Sequence, residues 1–254
     1  MKLAKLASTA LLGILLVAGI ACGEEQKTEP TPTSTPFTSC TIKENEEAEL
    51  IALCLSGDIV APDALYNRVL SDLAAIRSDF GDEFEIVNNI EFLPPWAPGS
   101  LIIGFEYEGN ATTAQMVANG TYEAWGELNE IYEVTEIDTG LMRTGGVLLH
   151  FKCRLHPRRL VELYEALPGV RYAEPNSYLG DYSNIYPRQI GDKITYLFRN
   201  AWGDCMVGCT GREYWYFSVE DGKPTFIGHY DPQRYTEPDW YDEADKNEEQ
   251  YHGW

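Results

Sequence analysis

Six cysteines and four histidines are the residues of this chain best suited to covalent or metal chemistry. Cys205 and Cys209 stand in Gly203-Asp204-Cys205-Met206-Val207-Gly208-Cys209, where the flanking glycines permit a tight loop closed by a disulfide. The rival use of these two thiols is a metal centre completed by a histidine. That centre needs a second closely spaced Cys or His pair, which the chain lacks, so no metal is expected. Cys40 and Cys54 bracket a short segment and are expected to staple it, which leaves Cys153 unpaired as a buried strand residue. Spacing alone does not fix this connectivity. His150, His156, His229 and His252 are scattered, and none sits in a Gly-x-Ser-x-Gly or His-Glu-x-x-His setting. Acidic residues are so abundant that a pair of carboxylates carries no signal for glycoside chemistry. Asp239, Asp242 and Asp245 lack the spacing and glycine of a calcium loop. The chain is therefore expected to be non-enzymatic and to carry no cofactor.

Charge sets the next limit. Nineteen Lys and Arg face 40 Asp and Glu, a net charge of −21. A sequence-independent nucleic-acid binder needs a positive footprint, so nucleic acid is excluded as a partner. Electrostatic adhesion to anionic lipid is disfavoured for the same reason. At 44% hydrophobic residues over 254 positions, the chain can bury a sizeable core.

Lys2 and Lys5 precede an uncharged apolar run over residues 6–21, short for a membrane span and suited to a secretory leader. The run ends Val17-Ala18-Gly19-Ile20-Ala21-Cys22 and resembles the bacterial lipoprotein signal. The resemblance implies cleavage after residue 21, lipidation of Cys22, export, and attachment to the extracytoplasmic face of the cell membrane. Residues 22–39 are rich in Thr, Pro and Glu, cannot repay their ordering entropy, and read as a disordered tether.

The elements that must position any site follow in order. Residues 40–92 are expected to form a helical hairpin: Leu50, Ile51, Cys54 and Leu55 make one apolar stripe, and Leu65, Val69, Leu70, Leu73, Ile76 and Phe80 a second. Residues 93–180 read β-α-β-β-α-β. Strands are expected at 100–107, 131–137, 146–153 and 170–176, with helices from about 111 and from 157. This order predicts an α+β, ferredoxin-like antiparallel sheet with two helices on one face. Residues 181–230 read as a small aromatic β-meander with strands at 193–200, 213–219 and 224–228. Its Trp202, Tyr214, Trp215 and Tyr216 either fill a core or offer a surface to glycan or peptide. Residues 231–254 read as a solvated acidic tail.

Two segments of the middle unit resemble subtilisin-type propeptides, a family of protease inhibitors. One is Pro98-Gly99-Ser100-Leu101-Ile102-Ile103-Gly104-Phe105; the other is Pro168-Gly169-Val170-Arg171-Tyr172-Ala173-Glu174-Pro175-Asn176. The family folds as β-α-β-β-α-β, lays its sheet on the protease, and places an extended tail in the substrate cleft. The resemblance implies a partner of the subtilisin-like protease class, or another envelope protein, met by Tyr172, Glu174, Pro175, Asn176, Ser177 and Tyr178. The protease domain that should follow a propeptide is missing from this sequence. Asp138-Thr139-Gly140 resembles a protease aspartate motif but falls between two expected strands, where Asp and Gly serve a turn. The expected function is thus a lipid-anchored, inhibitor-like protein-binding module. A structural or glycan- or peptide-binding envelope lipoprotein, using the meander, is the alternative.

Overall fold

The computed structural model describes residues 37, 39–105 and 113–253. The leader 1–21, Cys22 and the tether as far as residue 36 lie outside the described residues. The architecture is mixed α+β, with two four-stranded antiparallel sheets and several helices. Among the described residues no helix is long and apolar enough to cross a membrane.

Helix α1 (Glu46–Ser56) begins where the Asn45 side chain accepts the Ala48 N–H at 2.8 Å. Three glutamates in its first turn favour the positive end of the helix dipole. It stops at Gly57, whose φ of 63° closes the last turn without a Cβ clash. Helix α2 (Asp63–Phe80) follows Pro62 and packs on α1. A short α3 (Glu85–Asn89) leads to the first sheet.

That sheet contains β1 (Trp96–Phe105), β2 (Val134–Asp138), β3 (Gly146–Phe151) and β4 (Val170–Ser177), in spatial order β2-β3-β1-β4. The helical stretch expected from about residue 111 is interrupted at the Asn119-Gly120 break that the sequence offers: it forms α4 (Thr113–Ala118) and α5 (Gly126–Ile131), with Gly120 at φ 69° between them. Helix α6 (Pro157–Glu165) joins β3 to β4 and starts on a proline, which suits a first turn. Leu101, Ile103 and Phe105 alternate inward and meet Val147, Leu149, Leu160 and Tyr164 in one core.

The second sheet holds β5 (Asn184–Ile190), β6 (Lys193–Trp202), β7 (Gly211–Glu220) and β8 (Lys223–Tyr230) in sequence order. The expected meander had three strands; β5 is the fourth. Pro187 masks it in the sequence, and β5 is an edge strand, where a proline is tolerated. Both faces of β6 and β7 are buried. On one face Phe217 meets Phe80 of α2 with ring centroids 5.3 Å apart, and Tyr196 donates to Asp72 at 3.0 Å. On the other lies α7 (Tyr241–Gly253). Asn247 of α7 is fully buried and donates to the Tyr186 carbonyl at 2.8 Å and the Thr195 carbonyl at 3.2 Å.

The expectation of a solvated acidic tail is thereby corrected. Ala244, Asn247 and Tyr251 recur at three- and four-residue spacing and form the buried stripe of a helix whose Asp242, Glu243 and Glu249 face outward. Helices α1 and α2 share the core of the second sheet, so a segment before the first sheet and one after it make one packed unit.

The disulfide expectation is corrected as well. Cys40 is bonded to Cys153, not to Cys54. Cys54 lies on the inward side of α1, in the core of the second sheet, whereas Cys40 packs against the core of the first. Closeness in sequence did not place the two thiols together. Burial holds the free Cys54 thiol well above its ordinary pKa, so it is an inert core residue. The expected Cys205–Cys209 bond is formed.

Candidate functional site

Strand β4 carries five of the six contact residues expected from the sequence, and Tyr172, Glu174, Pro175 and Ser177 pair with β1. Glu174 stands opposite Ile102, Pro175 opposite Leu101 and Ser177 opposite Trp96. Beyond the strand the Tyr178 N–H donates to the Pro95 carbonyl at 3.4 Å. Five of the six residues therefore lie together on an edge strand and Tyr178 follows it directly, with Glu174, Ser177 and Tyr178 exposed.

The two tyrosines are held differently. Tyr172 lies against Gly104 of β1; a Cβ there would come within 2.1 Å of its ring, so only glycine admits this contact. Tyr178 borders a cavity of about 550 Å³ that Glu44, Glu46, Leu50 and Phe92 also line. Burial, then the charge of Glu46, raises the Tyr178 hydroxyl pKa. The helices pack on one face of this sheet. The opposite face carries half-buried Ile102, Leu148, His150 and Tyr172 beside exposed Glu136, Asp138 and Glu174.

After Tyr178 the chain crosses to β5 through residues 178–183. Leu179 at the start of this strap is 78% exposed. Two residues on, Asp181 is clamped. Its N–H donates to the Cys205 carbonyl at 2.7 Å. Its carboxylate accepts from Arg199, from Arg212 Nη2 at 2.9 Å and from the Cys209 N–H at 3.4 Å. Burial pushes the Asp181 carboxyl up, but the two guanidinium groups and the amide outweigh it and hold the pKa below the usual carboxylate value. Arg199 is 3% exposed. It also donates to Glu248 of α7 and to the Tyr182 carbonyl at 2.6 Å, and it stacks 4.9 Å above the Tyr186 ring. The strap and the last helix thus meet at one guanidinium, and the disulfide loop joins them through Asp181. At the tip of the loop, Met206 and Val207 are 71% and 85% exposed.

Other sequence candidates resolve less favourably. Tyr214, Trp215 and Tyr216 are buried in the second sheet, and Trp202 alone of the four aromatics is exposed. An aromatic recognition surface on the meander therefore shrinks to one ring. Asp138 accepts the Gly140 N–H at 2.7 Å, a local turn contact. Among the described residues one group of potential metal ligands converges, Cys40, Glu133 and Cys153, and its two sulfurs are bonded to each other.

The four histidines occupy separate settings. His150 lies on the outward face of β3, His229 stacks 4.8 Å from Trp215, and His252 sits 3.8 Å from Glu248. His156 precedes α6, buried 4.7 Å from the Trp96 ring. Burial, reinforced by Arg159 and Arg158, lowers its pKa from 6.5 to about 4. The fold therefore binds the neutral ring, while the unfolded chain binds the proton. The stability this contributes is complete above pH 6.5 and is lost as pH falls from 6.5 towards 4. The shift corresponds to about 3 kcal/mol. Urea unfolding at pH 7.5 and 4.5 is expected to cost the wild type about 2 to 3 kcal/mol more than His156→Gln; equal losses would place the titration elsewhere.

Leu179, Asp181, Arg199, Met206 and Val207 were not singled out from the sequence as site residues. One signal was available: Arg199 is a cation at the end of the apolar strand run Ile194-Thr195-Tyr196-Leu197-Phe198, where a charge calls for a buried partner. Neither a family model, nor a curated protein, nor a solved structure matches the chain.

Proposed function

We propose that this chain is a non-enzymatic, lipid-anchored protein of the bacterial cell envelope. It meets a protein partner through its first sheet and the extended end of β4, in the manner of a subtilisin propeptide or related inhibitor. The observation that carries this reading is the edge strand β4, whose residues 174–177 stay extended and lead into an exposed strap. An extended edge supplies backbone hydrogen bonds to a cleft, and its projecting side chains supply specificity. The order β1-α4-α5-β2-β3-α6-β4, with β1 between β3 and β4, supports a ferredoxin-like unit. Helices α1 and α2 are read as a hairpin that covers the second sheet and leaves the first free to bind. The dispersed histidines favour binding over catalysis, because no nucleophile and base are paired through them.

The test is a titration of subtilisin with the full chain, oxidised and held in mild non-ionic detergent. Inhibition with one slow cut in residues 174–181, located by mass spectrometry, is the expected result. Rapid digestion, or no effect at micromolar protein, overturns the inhibitor reading.

A further inference from the structure

The cluster at the Cys40–Cys153 bond carries more than a cross-link. Cys40 Sγ, Cys153 Sγ and a Glu133 carboxylate oxygen all lie within 4.8 Å of one another. Glu133 Oε2 stands 3.2 Å from Cys40 Sγ. A bonded sulfur has no hydrogen to donate, so this oxygen faces the disulfide without a hydrogen bond from it. The other oxygen, Oε1, accepts from Lys152 Nζ at 2.5 Å. The Lys152 N–H also donates to the Glu133 carbonyl at 3.0 Å and holds Glu133 at φ 52°, a left-handed conformation that residues with a Cβ seldom adopt. Backbone and side chain thus fix the carboxylate against the sulfurs. Cys40 is half-buried and Cys153 buried. A cavity of about 210 Å³ reaches both and is lined also by Lys43, Glu49, Asp63 and Arg154.

A disulfide is a poor metal ligand and a thiolate a strong one. Opened by two electrons, the pair offers two thiolates beside one carboxylate, a donor set that suits Zn²⁺. Zinc holds cysteine sulfur at about 2.3 Å, which places two tetrahedral sulfurs about 3.8 Å apart. The Cα atoms of Cys40 and Cys153 are 6.1 Å apart, in the wide half of the range for bonded cysteines, so side-chain rotation parts the sulfurs with the backbone in place. The sulfur-to-oxygen edge of the same tetrahedron is about 3.6 Å, close to the 3.2 Å between Cys40 and Glu133. Lys152 then orients the ligating carboxylate through its second oxygen. The cavity gives the fourth position to water.

We propose that Cys40, Cys153 and Glu133 form a Zn²⁺ site when the disulfide is reduced, so that one junction is closed by a covalent bond or by a metal. The reductant is a dithiol. One of its thiolates attacks the half-exposed Cys40 sulfur, and the S–S bond breaks with Cys153 leaving as thiolate. Its second thiolate attacks the mixed disulfide and releases Cys40 as thiolate. The dithiol ends as a disulfide, two electrons have passed to the pair, and two protons have gone to solvent. Zn²⁺ binds both thiolates and Glu133, and residues 39–43 stay fastened to the first sheet. The site is independent of the partner reading above.

The experiment uses the full chain as the variant Cys22→Ser/Cys54→Ala/Cys205→Ser/Cys209→Ser, in which Cys40 and Cys153 are the only thiols. It is reduced with dithiothreitol, desalted without oxygen, and titrated with Zn²⁺ against a chromophoric chelator and with Co²⁺ by absorption. One Zn²⁺ per reduced chain is expected, with a dissociation constant below about 1 µM. Co²⁺ is expected to show tetrahedral ligand-field bands and a sulfur-to-metal charge-transfer band, and the oxidised chain neither. Adding Glu133→Gln is expected to weaken binding at least about tenfold. Zn²⁺ at about 100 times its dissociation constant is expected to lower the unfolding equilibrium constant of the reduced chain about 100-fold. Circular dichroism checks the fold. If the variant fails it, reduced wild type is expected to retain one Zn²⁺ more per chain than Cys40→Ser/Cys153→Ser.

A reduced chain that takes up no Zn²⁺ at micromolar metal overturns the inference. Equal affinity with Glu133→Gln also overturns it, because two thiolates alone would then hold the ion. Equal uptake by the oxidised chain would assign the metal to surface carboxylates and overturn it as well.

Discussion

Replacing Cys40 and Cys153 by alanine is expected to cost the folded protein about 5 kcal/mol, whereas the same change at Cys205 and Cys209 costs about 2. The difference follows from loop length. The first bond spans a separation of 113 residues and the second a separation of 4. Closing a long loop removes far more freedom from the unfolded chain. The first bond also fastens the segment at residues 39–43 onto the core of the first sheet, against which Phe37 packs with its ring centroid 5.0 Å from that of Tyr132. Urea unfolding of the two double variants under non-reducing conditions measures both costs. Equal costs would sink the argument, and a non-reduced peptide map that links Cys40 to Cys54 would sink its premise.

The second large effect is expected at Arg199. Arg199→Met removes the cation from between Asp181 and Glu248 and is expected to destabilise the protein by about 3 to 5 kcal/mol. The cost arises from what remains. Glu248 keeps His252, 3.8 Å away, and a longer-range attraction to Arg212, and Asp181 keeps Arg212, which is more exposed than Arg199. Two carboxylates taken out of water then lack their main counter-charge. The triple variant Arg199→Met/Asp181→Asn/Glu248→Gln is expected to recover most of the loss, since it removes the stranded charges along with the cation. A triple variant as unstable as the single one would show that Arg199 acts through packing. Hydrogen exchange is expected to rise at residues 180–183 and 244–251 together in the single variant, because one guanidinium serves both.

Much of the fold was legible because its elements carry local signals. The apolar stripe from Leu65 to Phe80 and the glycines at 57 and 81 marked α1 and α2 closely. The apolar run Val147-Leu148-Leu149 marked β3, the turn Pro168-Gly169 marked the start of β4, and Pro157 marked the start of α6. What failed was whatever depends on distant partners. Strand β5 contains Pro187, and only its place at a sheet edge makes it a strand. Helix α7 was hidden by its acids, although Ala244, Asn247 and Tyr251 keep helical spacing. Asn247 reads as polar surface until β6 supplies the carbonyl it binds. The cysteine pairing was misread for the same reason, since Cys54 and Cys40 belong to different cores. The candidate site was half legible. The strand end 172–178 could be named from its sequence, whereas the clamp on Asp181 joins residues 18 and 31 positions apart and needs the fold.

The shared core of α1, α2 and the second sheet has a consequence for folding. Under the export reading the chain crosses the membrane from its amino end, and the first sheet is complete once residue 177 has emerged on the far side. Its core and the Cys40–Cys153 bond need nothing made later. Helices α1 and α2 are made earlier still, yet the strands that bury them end only at residue 230 and α7 closes at residue 253. The oldest apolar surface in the molecule is therefore the last to be covered. For the whole interval it must be shielded by a chaperone or kept unfolded, and a chain truncated between β4 and β8 would retain a finished first sheet beside two apolar helices without their cover.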